Sequence, residues 1–358
     1  MRRSHSALLL AVFALAAGAR AQAVDALHHK LELDLDFAAH AIAGTNHLTY
    51  RSGAVGLSTV TLDLVSALSV SAVRVNGTRV GFSRPLDQIV VMLDRAYDPG
   101  QQFTIDVDYG GVPPPGSSFG GLVFTTTNGG RPVAWTLSEP WDARAWWPGR
   151  DQLGDKSTFE MWVTHPATMA TVSNGLLQGV DALPNARARS RWSIGYPIPP
   201  YLASFVCTEF STRTDTYTGY GANMPVQFWV FPEDFAGWQT GMDRVVPMIT
   251  AFSSRYGQYP FVTEKYGVAQ FTWGGGMEHA TVSSQSGITE SLTAHELSHQ
   301  WWGDAITCAT WHDIWLNEGF ATFSEAIWYE TKTGGTLADY LTAMRSRKPT
   351  QTSGTVYV

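Results

Sequence analysis

From Leu31 the chain alternates strictly. Leu31, Leu33, Leu35 and Phe37 point one way, and Glu32, Asp34 and Asp36 the other. A period of two predicts a half-buried antiparallel strand. Val60, Leu62 and Leu64 repeat the pattern, as do Phe103, Ile105, Val107 and Tyr109. Between them, residues 73–80 read as a hairpin closed by Asn76-Gly77, which explains the formal glycosylation sequon Asn76-Gly77-Thr78 as a turn. Pro113-Pro114-Pro115-Gly116 ends one strand in a loop, and further strands are expected around 159–163 and 201–206. The segment from Trp135 to Trp147 holds four tryptophans and reads chiefly as domain packing. Many short strands with turn signals between them make the first half an all-β domain.

The pattern changes after Phe210 and Ser211, where the domain boundary is placed. Residues 226–231 read as a strand. Trp238, Met242, Val245, Ile249 and Phe252 then recur at helical spacing, with Pro247 expected to kink or end that helix. A strand over 266–272 precedes Gly274-Gly275-Gly276. One helix is expected to start near Thr289 or Ser291, and another to run from Asp313 to Thr333, stopped by Gly334-Gly335. The predicted fold class is α+β and multidomain, with a β-rich domain over 22–211 followed by an α+β domain over 212–358.

Composition narrows the class. A chain of 358 residues predicts two domains, and 44% hydrophobic content with 14 Trp is ample for their cores. A net charge of −7 with no basic cluster excludes a nucleic-acid footprint. No apolar run beyond the N-terminus approaches transmembrane length. Arg2 and Arg3, the apolar stretch 7–17 and Ala19-Arg20-Ala21 read as a leader over 1–21, cut near Ala21. A secreted or periplasmic location is therefore expected; the other reading is an uncleaved N-terminal anchor. Cys207 and Cys308 either pair or are two buried thiols.

The chemistry concentrates in His295-Glu296-Leu297-Ser298-His299. Positions i and i+4 share a helix face, so both imidazoles can meet one metal ion. Glu318, nineteen residues on, is the candidate third ligand, leaving one zinc per chain with an open position. Glu296 is placed to act as general base on a water. Glu325 follows Glu318 by seven residues, either orienting a ligand imidazole or simply solvated. Gly275 and Gly276 let a substrate backbone approach closely, and Glu278 next to them either pairs with a substrate α-amine or is incidental.

Taken together, His295-Glu296-Leu297-Ser298-His299, Leu316-Asn317-Glu318-Gly319 and Gly275-Gly276-Met277-Glu278-His279 resemble the M1 family of zinc aminopeptidases (gluzincins of the aminopeptidase N and leukotriene A4 hydrolase type). Thr136-Leu137-Ser138-Glu139 with Asp142-Ala143-Arg144 resembles the segment that supplies a second amine-binding residue. The resemblance implies a β-rich saddle domain and a thermolysin-like catalytic domain. It implies zinc on His295, His299 and Glu318, and Glu296 as general base. Glu278 and Glu139 would hold the substrate amine beside Gly275, Gly276, Met277 and His279, and the substrates would be peptides with a free N-terminus. His279 departs from the usual Asn of that motif. The family's oxyanion-stabilising tyrosine lies well downstream of the zinc ligands, and Tyr357 comes too early to match it. The catalytic domain is therefore expected to be incomplete at Val358, lowering turnover by about a hundredfold or more. Two other functions share the triad: a thermolysin-type endopeptidase, and a non-catalytic zinc-containing binding protein.

Overall fold

The computed structural model of the protein describes residues 23–115 and 119–348. The leader segment, Gly116 and Tyr357 lie outside the described residues. Among those residues, no helix is long and apolar enough to cross a membrane.

The alternating segments form the sheets of a first lobe. An eight-stranded sheet runs, edge to edge, through Leu176–Leu183, Arg187–Ile198, Ser157–Pro166, Val24–Asp36, Ala41–Ser52, Gln102–Gly111, Ser69–Val75 and Thr78–Arg79. Leu31, Leu33 and Leu35 are buried, while Glu32 and Asp34 turn outward to pair with Lys30 and Arg187. Val24–Asp36 is antiparallel to Ala41–Ser52, as its alternation predicts, but parallel to Ser157–Pro166 on its other side. Asn76 and Gly77, both at positive φ, close the expected two-residue hairpin. A three-stranded sheet (Leu57–Asp63, Gln88–Tyr97, Phe82–Ser83) and a four-stranded sheet (Ala170–Ser173, Phe205–Thr208, Pro132–Leu137, Gly121–Thr126) complete this lobe.

Two expectations need correction. Residues 201–206 are not one strand: Pro200–Leu202 is a 3-10 turn and the strand begins at Phe205. Pro199 and Pro200 fix φ and remove donors, which suits a turn and not a ladder. Pro247 does not end a helix either. Helix α1 (Phe235–Met242) stops before Asp243, and α2 (Val245–Tyr256) carries Pro247 in its first turn, where a missing N–H costs nothing.

At Ser211 the chain passes into a second sheet, ordered Ser211–Tyr217, Met224–Val230, Tyr266–Gln270, Ser283–Gln285, Gly276–Met277. Helix α3 (Glu290–Ser298) follows, capped by Thr289, whose side chain accepts from Leu292 N–H. Helix α4 (Ile314–Thr331) packs against it, and α5 (Leu337–Ser346) packs on α4. Lys332 just past the end of α4 pairs with Glu290 at the start of α3 at 2.7 Å. Trp135, Trp146 and Trp147 are buried, and Trp135 Nε1 donates to Thr272 Oγ1 at 2.8 Å, joining the two lobes. Trp141 is 42% exposed. Cys207 and Cys308 are both free and buried, and burial pushes the Cys207 thiol up to about 12.

Candidate metal centre and active site

His295 lies in the last turn of α3, and His299 caps the helix while keeping helical backbone angles. Their ring centroids are 4.8 Å apart. Glu318 reaches them from the second turn of α4: its carboxylate is 3.2 Å from His295 Nε2 and 3.7 Å from His299 Nε2. Four-coordinate zinc with bonds of about 2.0–2.1 Å sets its ligand atoms about 3.3 Å apart. Both distances from Glu318 therefore stand near the spacing a tetrahedral ion requires, and all three donors lie within 4.8 Å of one another.

The partners of the other ring nitrogens support the same reading. His295 Nδ1 donates to Glu325 Oε1 at 3.1 Å, and His299 Nδ1 donates to the carbonyl of Trp302 at 2.9 Å. Each bond fixes the tautomer that leaves the Nε2 lone pair toward the centre. Glu325 is thus drawn inward and not solvated; Ser291 and Arg347 also hydrogen-bond its carboxylate. Burial opposes charge on His295, but its bonds to Glu318 and Glu325 outweigh that and lift the imidazole to about 10. A divalent cation would take the place of that proton. Glu325→Gln is expected to weaken zinc binding about 10–100-fold, read by competition with a chelating dye; an unchanged affinity would show that the Glu325 bond does not act on the metal.

Glu296 is not one of the three triad donors but stands close beside them. Its donor oxygen lies within 4.8 Å of ligand atoms of Glu278 and His299. It is 5% exposed, and burial holds its carboxyl well above the usual range. A Cβ added at Gly276 would stand 2.3 Å from Glu296 Oε1, so the bare glycine is what admits the carboxylate. Gly276 and Met277 form a short edge strand antiparallel to Ser283–Gln285, and the Gly275 carbonyl accepts from Ser286 N–H at 2.8 Å. At Gly275 an added Cβ would meet the Trp273 ring.

The glycine-loop glutamate and the first-lobe glutamate, 139 residues apart in sequence, come together here. Carboxylate oxygens of Glu139, Glu278 and Glu318 lie within 4.8 Å of one another. Burial raises the carboxyls of Glu139 and Glu278, and the charge of Glu278 raises Glu139 further. Like charges this close and this dry are relieved by a cation. Glu278 is 3% exposed and accepts from Tyr201 O–H at 3.4 Å. Tyr201, in the 3-10 turn Pro200–Leu202, is a site residue not singled out from the sequence. His279 is fully buried, donating or accepting at Nδ1 with Ser284 Oγ at 2.9 Å, and burial lowers it to about 3. It is therefore a neutral ring held by Ser284.

A β-rich lobe joined to an α+β lobe whose His-Glu-x-x-His helix and later glutamate converge on one point defines the metallopeptidase class. Residues 25–202 match the M1 peptidase N-terminal domain and residues 248–353 match the M1 peptidase domain, and the chain belongs to peptidase family M1. Aminopeptidase N of Oryctolagus cuniculus is 26% identical over 266 residues, 67% of this chain and 27% of that protein. The chain spans about a quarter of the length of the curated relatives it matches. Among solved structures, a two-domain M1 zinc metallopeptidase mutant bound to L-tryptophan superposes with a TM-score of 0.83 at 26% identity, covering 94% of this chain and 78% of that one. A mutant from Deinococcus radiodurans bound to a Tyr-Ser-Ala substrate gives a TM-score of 0.78 at 26% identity, with the same coverage of both chains.

Proposed function

We propose that the protein is a zinc-dependent aminopeptidase that hydrolyses the N-terminal peptide bond of peptides. The reading rests on one juxtaposition: the carboxylates of Glu139 and Glu278 stand beside a ligand of the His295, His299, Glu318 triad. When bound on that triad, one zinc per chain supplies Lewis acidity toward a carbonyl oxygen and acidifies water. Glu296 accepts the proton of the attacking water on its carboxylate and delivers it to the leaving amine. Glu139 and Glu278 bind the substrate ammonium, whose charge offsets their mutual repulsion. That ammonium fixes the distance from chain end to scissile bond, which restricts cleavage to the first residue. The relatives bound to L-tryptophan and to Tyr-Ser-Ala support a ligand with a free amine. Export through the leader over residues 1–21 belongs to the same proposal.

The full chain, loaded with zinc, is expected to cleave leucine p-nitroanilide, to lose that activity to a chelator and to regain it with added zinc. N-acetylated peptides should remain intact. Cleavage of blocked peptides at internal bonds would instead establish a thermolysin-type endopeptidase.

A further inference from the structure

We propose that Gln300 and Lys265 are positioning residues that fix where the Glu278 carboxylate stands relative to the metal ligands, and so set the preference for a free α-amine. This rests on the aminopeptidase reading above. The carboxylate of Glu278 accepts from Tyr201 O–H only at a long 3.4 Å, and otherwise from its own backbone N–H. Its place is therefore set by its backbone, residues 278–281, and that backbone is clamped from both lobes.

Gln300 follows the metal ligand His299 and is fully buried. Its Nε2 donates to the Glu278 carbonyl at 3.1 Å and the His279 carbonyl at 3.4 Å. Its Oε1 accepts from Thr281 N–H at 2.8 Å and Tyr259 O–H at 3.0 Å. A single amide thus ties both ends of the turn to the chain position next to a zinc ligand. Thr281 has φ 67, a left-handed conformation that a β-branched residue rarely adopts. Such a conformation persists only where the surroundings over-determine it, and here they do. Lys265 Nζ donates to Thr281 Oγ1 at 3.1 Å and to the Ser173 carbonyl at 3.0 Å. Gly175 N–H donates to Thr281 Oγ1 at 2.7 Å, and Asn174 Nδ2 to the Ala280 carbonyl at 2.7 Å. The turn is bolted to the first lobe on one side and to the end of α3 on the other.

The chemistry of Lys265 argues for placement over packing. It is fully buried, 5.3 Å from the Trp192 ring centre and 5.9 Å from that of Trp229, and burial pushes its ammonium down to about 7. A methionine would fill similar volume without the desolvation of an amine. What the methionine would lack is the three donors that hold Thr281 and Ser173.

The test uses the full chain loaded with zinc, as wild type and as Gln300→Leu, Lys265→Met and the milder Tyr259→Phe. Calorimetry measures affinity for L-tryptophan and for N-acetyl-L-tryptophan, chelator competition measures zinc affinity, and leucine p-nitroanilide gives KM and kcat. In Gln300→Leu and Lys265→Met, L-tryptophan affinity is expected to fall about tenfold and KM to rise about tenfold. N-acetyl-L-tryptophan affinity should not move, and zinc affinity should stay within about threefold of wild type. Tyr259→Phe should show the same pattern at about threefold, and it decides the matter if the other two fail to fold. Folded variants that keep the wild-type ratio of the two affinities overturn the proposal. So does a loss of zinc affinity in step with the loss of L-tryptophan binding, since Gln300 would then act on the metal helix alone. A wild type that prefers L-tryptophan but cleaves no peptide overturns the aminopeptidase reading while leaving the positioning claim to be judged by the binding ratios.

Discussion

Glu296→Gln is expected to lower kcat on leucine p-nitroanilide by a factor of about 10²–10⁴ while zinc content and KM stay near wild type. The amide is isosteric with the carboxylate, so it fills the same space against Gly276, where no side chain could fit without displacing it. It lacks the basic oxygen that would accept a proton. Glu296 is not one of the three donors centred on Glu318 and the two imidazoles, so removing its charge leaves the ligand set intact. That separates this variant from His295→Ala or Glu318→Ala, which would lose metal and turnover together. Zinc by atomic absorption and kcat from the same preparation decide it. A kcat within about tenfold of wild type would assign the proton transfer elsewhere.

Asp155→Ala is expected to destabilise the first lobe by about 3–5 kcal/mol. Asp155 is 1% exposed; its Oδ2 is 3.0 Å from Arg150 Nη1, and its Oδ1 accepts from Ala26 N–H at 2.9 Å. Arg150 also donates to the Val24 carbonyl and to Gln152 Oε1. Burial lifts the Asp155 carboxyl above the usual range despite the guanidinium beside it. Removing Asp155 takes the paired carboxylate from a largely buried guanidinium and leaves the Ala26 N–H without its acceptor. Against a total stability of about 5–15 kcal/mol, the loss is large. Asp155→Asn keeps an acceptor for Ala26 and should cost less. Urea unfolding followed by tryptophan fluorescence reads both; coincident midpoints for Asp155→Ala and wild type would mean that the site relaxes around Arg150.

Much of the fold was legible because burial on one face writes itself as a period. Leu31, Leu33 and Leu35 declare a strand without reference to any partner, and Asn76-Gly77 declares the turn between Ser69–Val75 and Thr78–Arg79. The metal ligands were legible for a similar reason, since helical geometry brings His295 over His299 at a spacing of four. What a strand pairs with is not written locally. The alternation of Val24–Asp36 reads the same whether its neighbour runs parallel or antiparallel. Partners that are backbone atoms leave no trace in side-chain identity, so the Trp302 carbonyl behind His299 and the carbonyls gripped by Gln300 could not be read. The turn at Pro200–Leu202 was misread as strand because its aromatic and aliphatic residues match a strand's composition. Glu139 lacked any local signal, its place beside Glu278 being a property of how the lobes meet; only the family resemblance pointed to it.

The parallel pairing at the middle of the eight-stranded sheet has a consequence for assembly. His28 lies opposite Thr158, and their side chains meet at 2.7 Å across 130 residues of sequence. Strand Val24–Asp36 can join its hairpin neighbour early, but its other edge stays bare until Ser157–Pro166 has been synthesised. Late closure of so long a loop makes maturation of this lobe slow compared with the helical hairpin of α4 and α5, whose contacts are short in sequence.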